Sequence, residues 1–178
     1  MGTRLAATTE PGHLRTFIAC ALPETVRAHL AKVQACLREA PLALRWVKTG
    51  NIHLTLKFIG ETPVDILERL LAAMHQVAAG RQIIRLQTKG LGVFPNLKRP
   101  RVVWVGLEGD LEALAALHAD LDEALDPKIL PRVTRPFHGH LTLGRARERL
   151  PVGVLAEALQ HCADNNSPPF TVDRVTLY

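Results

Sequence analysis

The sequence predicts mixed strands and helices arranged as two pseudo-symmetric halves that face one cleft. Three observations predict it. The tetrapeptide His-Leu-Thr-Leu occurs at residues 53–56 and recurs at residues 140–143. Each copy sits in an apolar run that reads as a strand, inside the same order of strand, helix, motif strand, helix and strand. No low-complexity linker separates the halves.

The first half opens on the apolar run at residues 15–22. A helix follows from Pro23 to about Glu39, because Val26, Leu30, Val33 and Leu37 recur at helical spacing. After the motif strand, Leu67, Leu70, Leu71 and Met74 mark a helix over residues 63–79, and a strand follows over residues 82–93. The second half repeats this order. It has a strand at 101–107, a helix from Asp110 to about Leu125, the motif at His140, a helix at 152–162 and a strand at 170–178. Pro23 and Pro63 stand where helices begin, and Asp110 suits a helix cap.

A hydrophobic fraction of 47% supplies a core, and a formal net charge of +5 favours an anionic partner over a cationic one. The three cysteines, Cys20, Cys36 and Cys162, form no Cys-x-x-Cys pair and are odd in number. That argues against a disulfide framework or a cysteine zinc site and fits a reducing cytoplasm. No apolar stretch reaches the length of a membrane span, so no membrane partner is expected. Residues 1–13 read as a flexible N-terminal extension without the apolar segment of a signal peptide. The core leaves no long apolar stripe unexplained, so a monomer is expected.

The repeated motif carries the chemistry. Side chains alternate across a strand, so His53 and Thr55 share one face, as do His140 and Thr142, while the leucines point into a core. Two imidazoles and two hydroxyls around one point suit phosphate esters. One neutral imidazole takes a proton from water, and the other, protonated, gives one to the leaving oxygen. An unperturbed histidine titrates at about 6.5, so both forms exist near neutrality. The hydroxyls hold the non-bridging oxygens, where charge builds in the transition state. This scheme needs no metal and no other cofactor.

Secondary candidates are weighed against ordinary structural roles. By alternation His138 lies on the face of His140 and Lys57 on the face of His53; a bystander and a solvated lysine are the bland readings. Phe94 and Trp104 suit base stacking, although the few aromatics of a chain are more often core. Trp46 reads as packing. The run Lys98-Arg99-Pro100-Arg101 is either a basic loop tip for RNA phosphates or a solubilising turn. Gly90 and Gly92 read as turn or bulge residues. His29, His75, His118 and His161 lie in helical patterns without ligand spacing.

The chain resembles the two-histidine phosphoesterases, whose signature is a pair of His-x-Thr-x motifs, and among them the RNA 2',3'-cyclic phosphodiesterases, historically called 2'-5' RNA ligases. The resemblance runs over Arg45-Trp46-Val47 and Asn51 to Glu61, over Gly90 to Pro95, over Pro100 to Gly106, and over His140 to Arg145. It implies an α+β fold of two lobes, each an antiparallel sheet flanked by helices around a central cleft, so that residues 14–178 form a single bilobal domain. It implies hydrolysis of RNA 2',3'-cyclic phosphate ends to 2'-phosphates, with reversible 2'-5' ligation as a related transfer. RNA ends or nucleotides bearing that cyclic phosphate are the implied partners. His53 and His140 carry over as catalytic residues, and Thr55, Thr142 and Arg145 as phosphate contacts.

Two departures matter. The family usually has proline where Gly139 stands, and glycine loosens that approach. Strict alternation also puts Arg145 on the face opposite His140, so its role requires a bulge near Gly144. Two rival functions remain. A nucleotide- or RNA-binding module would use the same cleft without turnover, but it has no need of both an acid and a base. A metallohydrolase would gather the histidines around zinc, yet no Asp or Glu lies at ligand spacing near either motif.

Overall fold

Periodic leucines and valines give the helices their buried faces. In the computed structural model, which describes residues 12–125, 136–164 and 166–178, Val26, Leu30, Val33 and Leu37 of helix α1 (Glu24–Leu37) are all buried. Helix α2 (Leu67–Ala78) buries Leu70 and Met74, α3 (Leu111–Ala124) buries Leu114, Leu117 and Leu121, and α4 (Val152–His161) buries Leu155 and Ala158. Each fully buried leucine contributes about 2 kcal/mol of transfer free energy.

Among the described residues eight strands accompany them: β1 (His13–Cys20), β2 (Leu44–Trp46), β3 (Leu54–Pro63), β4 (Ile84–Phe94), β5 (Val102–Gly109), β6 (Leu141–Ala146), β7 (Phe170–Val172) and β8 (Thr176–Leu177). They form one antiparallel sheet in the order β7-β4-β5-β6-β3-β1-β8, with β2 added beside β6. The α+β prediction of two antiparallel halves holds. The halves of the sequence are nonetheless interlocked. The closing strand β4 of the first half pairs with β5 of the second, and β8 of the second half pairs with β1 of the first. The motif strands β3 and β6 meet at the centre, where Leu54 stands opposite Leu141. Both leucines are fully buried.

Several expectations change. Residues 1–11 of the expected extension lie outside the described residues, and β1 already begins at His13. The last predicted strand splits into β7 on β4 and β8 on β1. Strand β2 was not expected, because a three-residue strand is too short to show a period. Asp110 does precede α3, but its carboxylate accepts from the Arg85 backbone N–H (2.9 Å) instead of capping the helix. The cysteine reading is overturned: Cys36 and Cys162 form a disulfide between the C-terminal ends of α1 and α4. Their 126-residue separation hides the pairing from any spacing rule. Cys20 is free and buried, and burial pushes its thiol up to about 12.

Candidate active site

The leucines of each motif fix where its polar residues point. Leu54 and Leu141 face the core, so the residues flanking them, His53 and Thr55 on one strand and His140 and Thr142 on the other, face away from it together. Continuing the antiparallel register sets Thr55 opposite His140 and His53 opposite Thr142. Opposed Cβ atoms then lie about 5 Å apart, and the diagonal pair of histidines about 7–8 Å apart. A single phosphate fits in that diagonal. Both histidines sit one residue before their strands begin, where the backbone is free to serve the ring.

It does so in the same way twice. His53 Nδ1 lies 2.9 Å from the Asn51 carbonyl oxygen, and His140 Nδ1 lies 2.7 Å from that of His138. A carbonyl only accepts, so each Nδ1 carries the proton and each Nε2 is left as the working nitrogen. Burial holds both imidazoles below the ordinary value of 6.5, opposed in each by its backbone hydrogen bond. Electrostatic repulsion from His138 and Arg145 lowers His140 further, whereas burial is the lowering cause at His53.

The aromatic surroundings also differ. His53 stacks on Phe17 (4.8 Å between centroids), which in turn stacks on Tyr178 (5.2 Å). His140 meets the edge of Phe94 (4.8 Å), with Trp104 tilted beside it (6.1 Å). Beside Phe94 and His140 opens a cleft of about 830 Å³, lined by Thr55, Phe58, Phe94, Arg101, His118 and His140 among others; His53, Thr142 and Arg145 lie outside its lining. His138 also borders it.

Bulges decide the remaining side chains. On β6, Thr142 pairs with Trp104 and Gly144 with Val103, so Leu143 is an extra residue. Beyond it Arg145 pairs with Val102. Val102 and Trp104 share a face, so Arg145 returns to the face of Thr142. The bulge that the sequence requires is therefore present, one residue before Gly144. The Leu143 carbonyl accepts from Val47 N–H (2.9 Å) and from the buried Gln34 amide (2.9 Å). Gln34 also donates to the Val47 carbonyl (2.8 Å), so one α1 side chain ties β2 to the bulge.

A second bulge works against expectation. On β3, Thr55 pairs with Ala19 and Lys57 with Ile18, which leaves Leu56 as the extra residue. Lys57 consequently leaves the row of His53 and Thr55 and ion-pairs with Asp122 of α3. Phe58 takes the cleft-facing position instead and is 65% exposed. At Gly139 a Cβ would sit 2.9 Å from a Leu114 methyl, so the glycine makes room for α3. Gly90 does adopt a positive φ (+69°) within a bulge of β4. Gly92 instead makes room for Trp104, whose ring a Cβ there would meet at 2.2 Å. Phe17, Tyr178 and Gln34 escaped the sequence reading, because only long-range contacts bring them here; Phe58 escaped it because the Leu56 bulge breaks alternation, and His118, set aside as a helical residue, lines the cleft. Among the described residues no three His, Cys, Asp or Glu side chains gather in metal-ligand geometry.

Two His-x-Thr motifs on adjacent central strands of a two-lobed antiparallel sheet define a two-histidine phosphoesterase. The chain belongs to the 2'-5' RNA ligase superfamily, whose sequence profile matches residues 22–178. It is 30% identical over 167 residues to an RNA 2',3'-cyclic phosphodiesterase of Methanothermobacter thermautotrophicus, covering 92% of this chain and 88% of the relative. A protein of the same name from Thermus thermophilus is 36% identical over 143 residues, covering 78% and 71%. Among solved structures, Escherichia coli LigT without ligand superposes with a TM-score of 0.69 at 26% identity, covering 94% of this chain and 88% of LigT. A Thermus thermophilus protein, TT0787, gives 0.67 at 30% identity, covering 92% and 84%.

Proposed function

We propose that this chain hydrolyses RNA 2',3'-cyclic phosphate ends to 2'-phosphates by paired-histidine acid/base catalysis, without a metal. The observation that carries this reading is the quartet of His53, Thr55, His140 and Thr142 on one face around the Leu54–Leu141 pair. Both Nε2 atoms are left for chemistry. The names of the relatives support the same reaction.

His140 is the base. Burial and the Arg145 charge both oppose its protonated form, which suits a proton acceptor. His53 is the acid. In the forward step a water O–H bond breaks, its proton passes to His140 Nε2, and the water oxygen bonds to phosphorus. The bond from phosphorus to the ribose O3' breaks as His53 Nε2–H protonates that oxygen. The products are a 2'-phosphate and a free 3'-hydroxyl. Thr55 and Thr142 donate to the non-bridging oxygens, and Arg145 balances their charge. With a 5'-hydroxyl in place of water the same transfer, in which the P–O3' bond breaks and O3' is protonated, makes a 2'-5' linkage; O3' attack that expels O5' is its reverse.

An RNA-end substrate supports a cytoplasmic location, whereas the Cys36–Cys162 bond weighs against a strongly reducing one. No helix among the described residues is long and apolar enough to cross a membrane. The test is turnover of a 2',3'-cyclic nucleotide with product identification. A 2'-phosphate product from wild type, lost in His53→Ala and in His140→Ala, is expected. Saturable binding without product in wild type would make the chain a binding module instead.

A further inference from the structure

The bulge that returns Arg145 to the face of Thr142 has a second consequence on the neighbouring strand. Strand β2 pairs with β6 so that Arg45 stands directly opposite Arg145. Directly opposed residues share a face, so Arg45 points to the same side as Arg145, Thr142 and Trp104. Its neighbours confirm the phase. Leu44 is buried, and Trp46 turns inward against Gly144 and under Arg38. Arg45 itself is exposed.

Two like charges directly opposite each other on a sheet repel. Among the described residues neither Arg45 nor Arg145 has an acidic partner in hydrogen-bond or ion-pair contact. A cross-strand row therefore runs along one face, from Val102 through Arg145 to Arg45, beside the row that holds Thr142. Arg145 is close enough for its charge to act on His140. Arg45 stands opposite Arg145, four residues along β6 from the Leu54–Leu141 pair that carries the imidazoles.

We propose that Arg45 is a second phosphate subsite, one that takes the phosphodiester immediately 5' of the cyclic end. The guanidinium offers two parallel donors to phosphate oxygens, and that phosphate relieves its repulsion with Arg145. The preferred substrate class is then an oligonucleotide with a 2',3'-cyclic end, and a cyclic mononucleotide is a substrate that leaves Arg45 empty. This inference rests on the reaction proposed above.

The experiment compares wild type and Arg45→Ala on cytidine 2',3'-cyclic phosphate and on a dinucleotide bearing the same cyclic end. Expected is a roughly fivefold rise in KM for the dinucleotide alone in Arg45→Ala, the size of a partly exposed charge contact. Turnover at saturation and the mononucleotide kinetics stay at wild-type values, which also reports an intact fold. The slope of log KM against log salt for the dinucleotide becomes shallower by about 0.7, the loss of one phosphate on a single strand. Arg45→Lys recovers the salt slope. Equal losses on both substrates, or no loss on either, overturn the subsite while leaving the catalytic reading in place. A wild-type chain inactive on both substrates overturns the reaction and the subsite together.

Discussion

The two copies of His-Leu-Thr-Leu hold their imidazoles by one device and surround them with different neighbours. In each, Nδ1 is tied to the carbonyl two residues back. Around His53 the neighbours are ring faces, Phe17 and beyond it Tyr178. Around His140 they are ring edges together with the charges of His138 and Arg145. A duplicated motif thus supplies two equivalent imidazoles, and the strands packed beside them give each ring different surroundings. The difference comes from tertiary pairing and not from the motif.

The most severe way to break the comparison is to remove one ring. His53→Ala and His140→Ala should each lower kcat/KM on a 2',3'-cyclic nucleotide by on the order of 10²–10⁴, with far-UV circular dichroism unchanged. Full activity in either would show that the copies are not partners. Next in size are the hydroxyls. Thr55→Val and Thr142→Val should each reduce kcat by on the order of 10², because the donors act where charge develops. A change confined to KM would place them in ground-state binding instead.

The bulge on β6 sharpens the contrast further. Gln34→Leu removes the donor that ties the Leu143 carbonyl to α1 and should cost about 1–3 kcal/mol of stability by denaturant titration. It should also lower activity through Arg145. Adding Arg145→Ala to Gln34→Leu should therefore cost much less activity than Arg145→Ala costs alone. Simple additivity of the two losses would separate the bulge from the aim of Arg145.

The smallest effect is on pH dependence. With His140 as the base, its neutral form does the work, and burial with neighbouring charge lowers its pKa, so the acid limb of kcat/KM should lie below the ordinary 6.5. Arg145→Gln removes one of the lowering charges and should move that limb upward. The same shifts predict stability that is full above pH 6.5 and declines as pH falls below it. There the unfolded chain binds protons that the folded His53 and His140 do not. An acid limb at or above 6.5 in wild type would deny the assigned base.

What the sequence made legible follows from periodicity. The histidines and threonines were visible because a repeat of four residues in apolar runs is a local signal, and the helices because leucines recur at helical spacing. Alternation then failed at two places, and both are bulges. The extra Leu56 sent Lys57 to Asp122 and brought Phe58 to the cleft, and the extra Leu143 brought Arg145 back to the face of His140. Arg145 was placed by resemblance where simple alternation would have lost it. Phe17 and Tyr178 reach His53, and Arg45 its place opposite Arg145, only through pairing between strands far apart in the chain, which no local pattern encodes. The same distance concealed the Cys36–Cys162 bond.

The most direct measurement of the central claim is a crystal structure of the protein soaked with a 2'-nucleotide, the expected product. The account predicts one phosphate within hydrogen-bond distance of Nε2 of both His53 and His140, with the Thr55 and Thr142 hydroxyls on its oxygens. A phosphate held by one imidazole alone, or bound away from the Leu54–Leu141 pair, would contradict it.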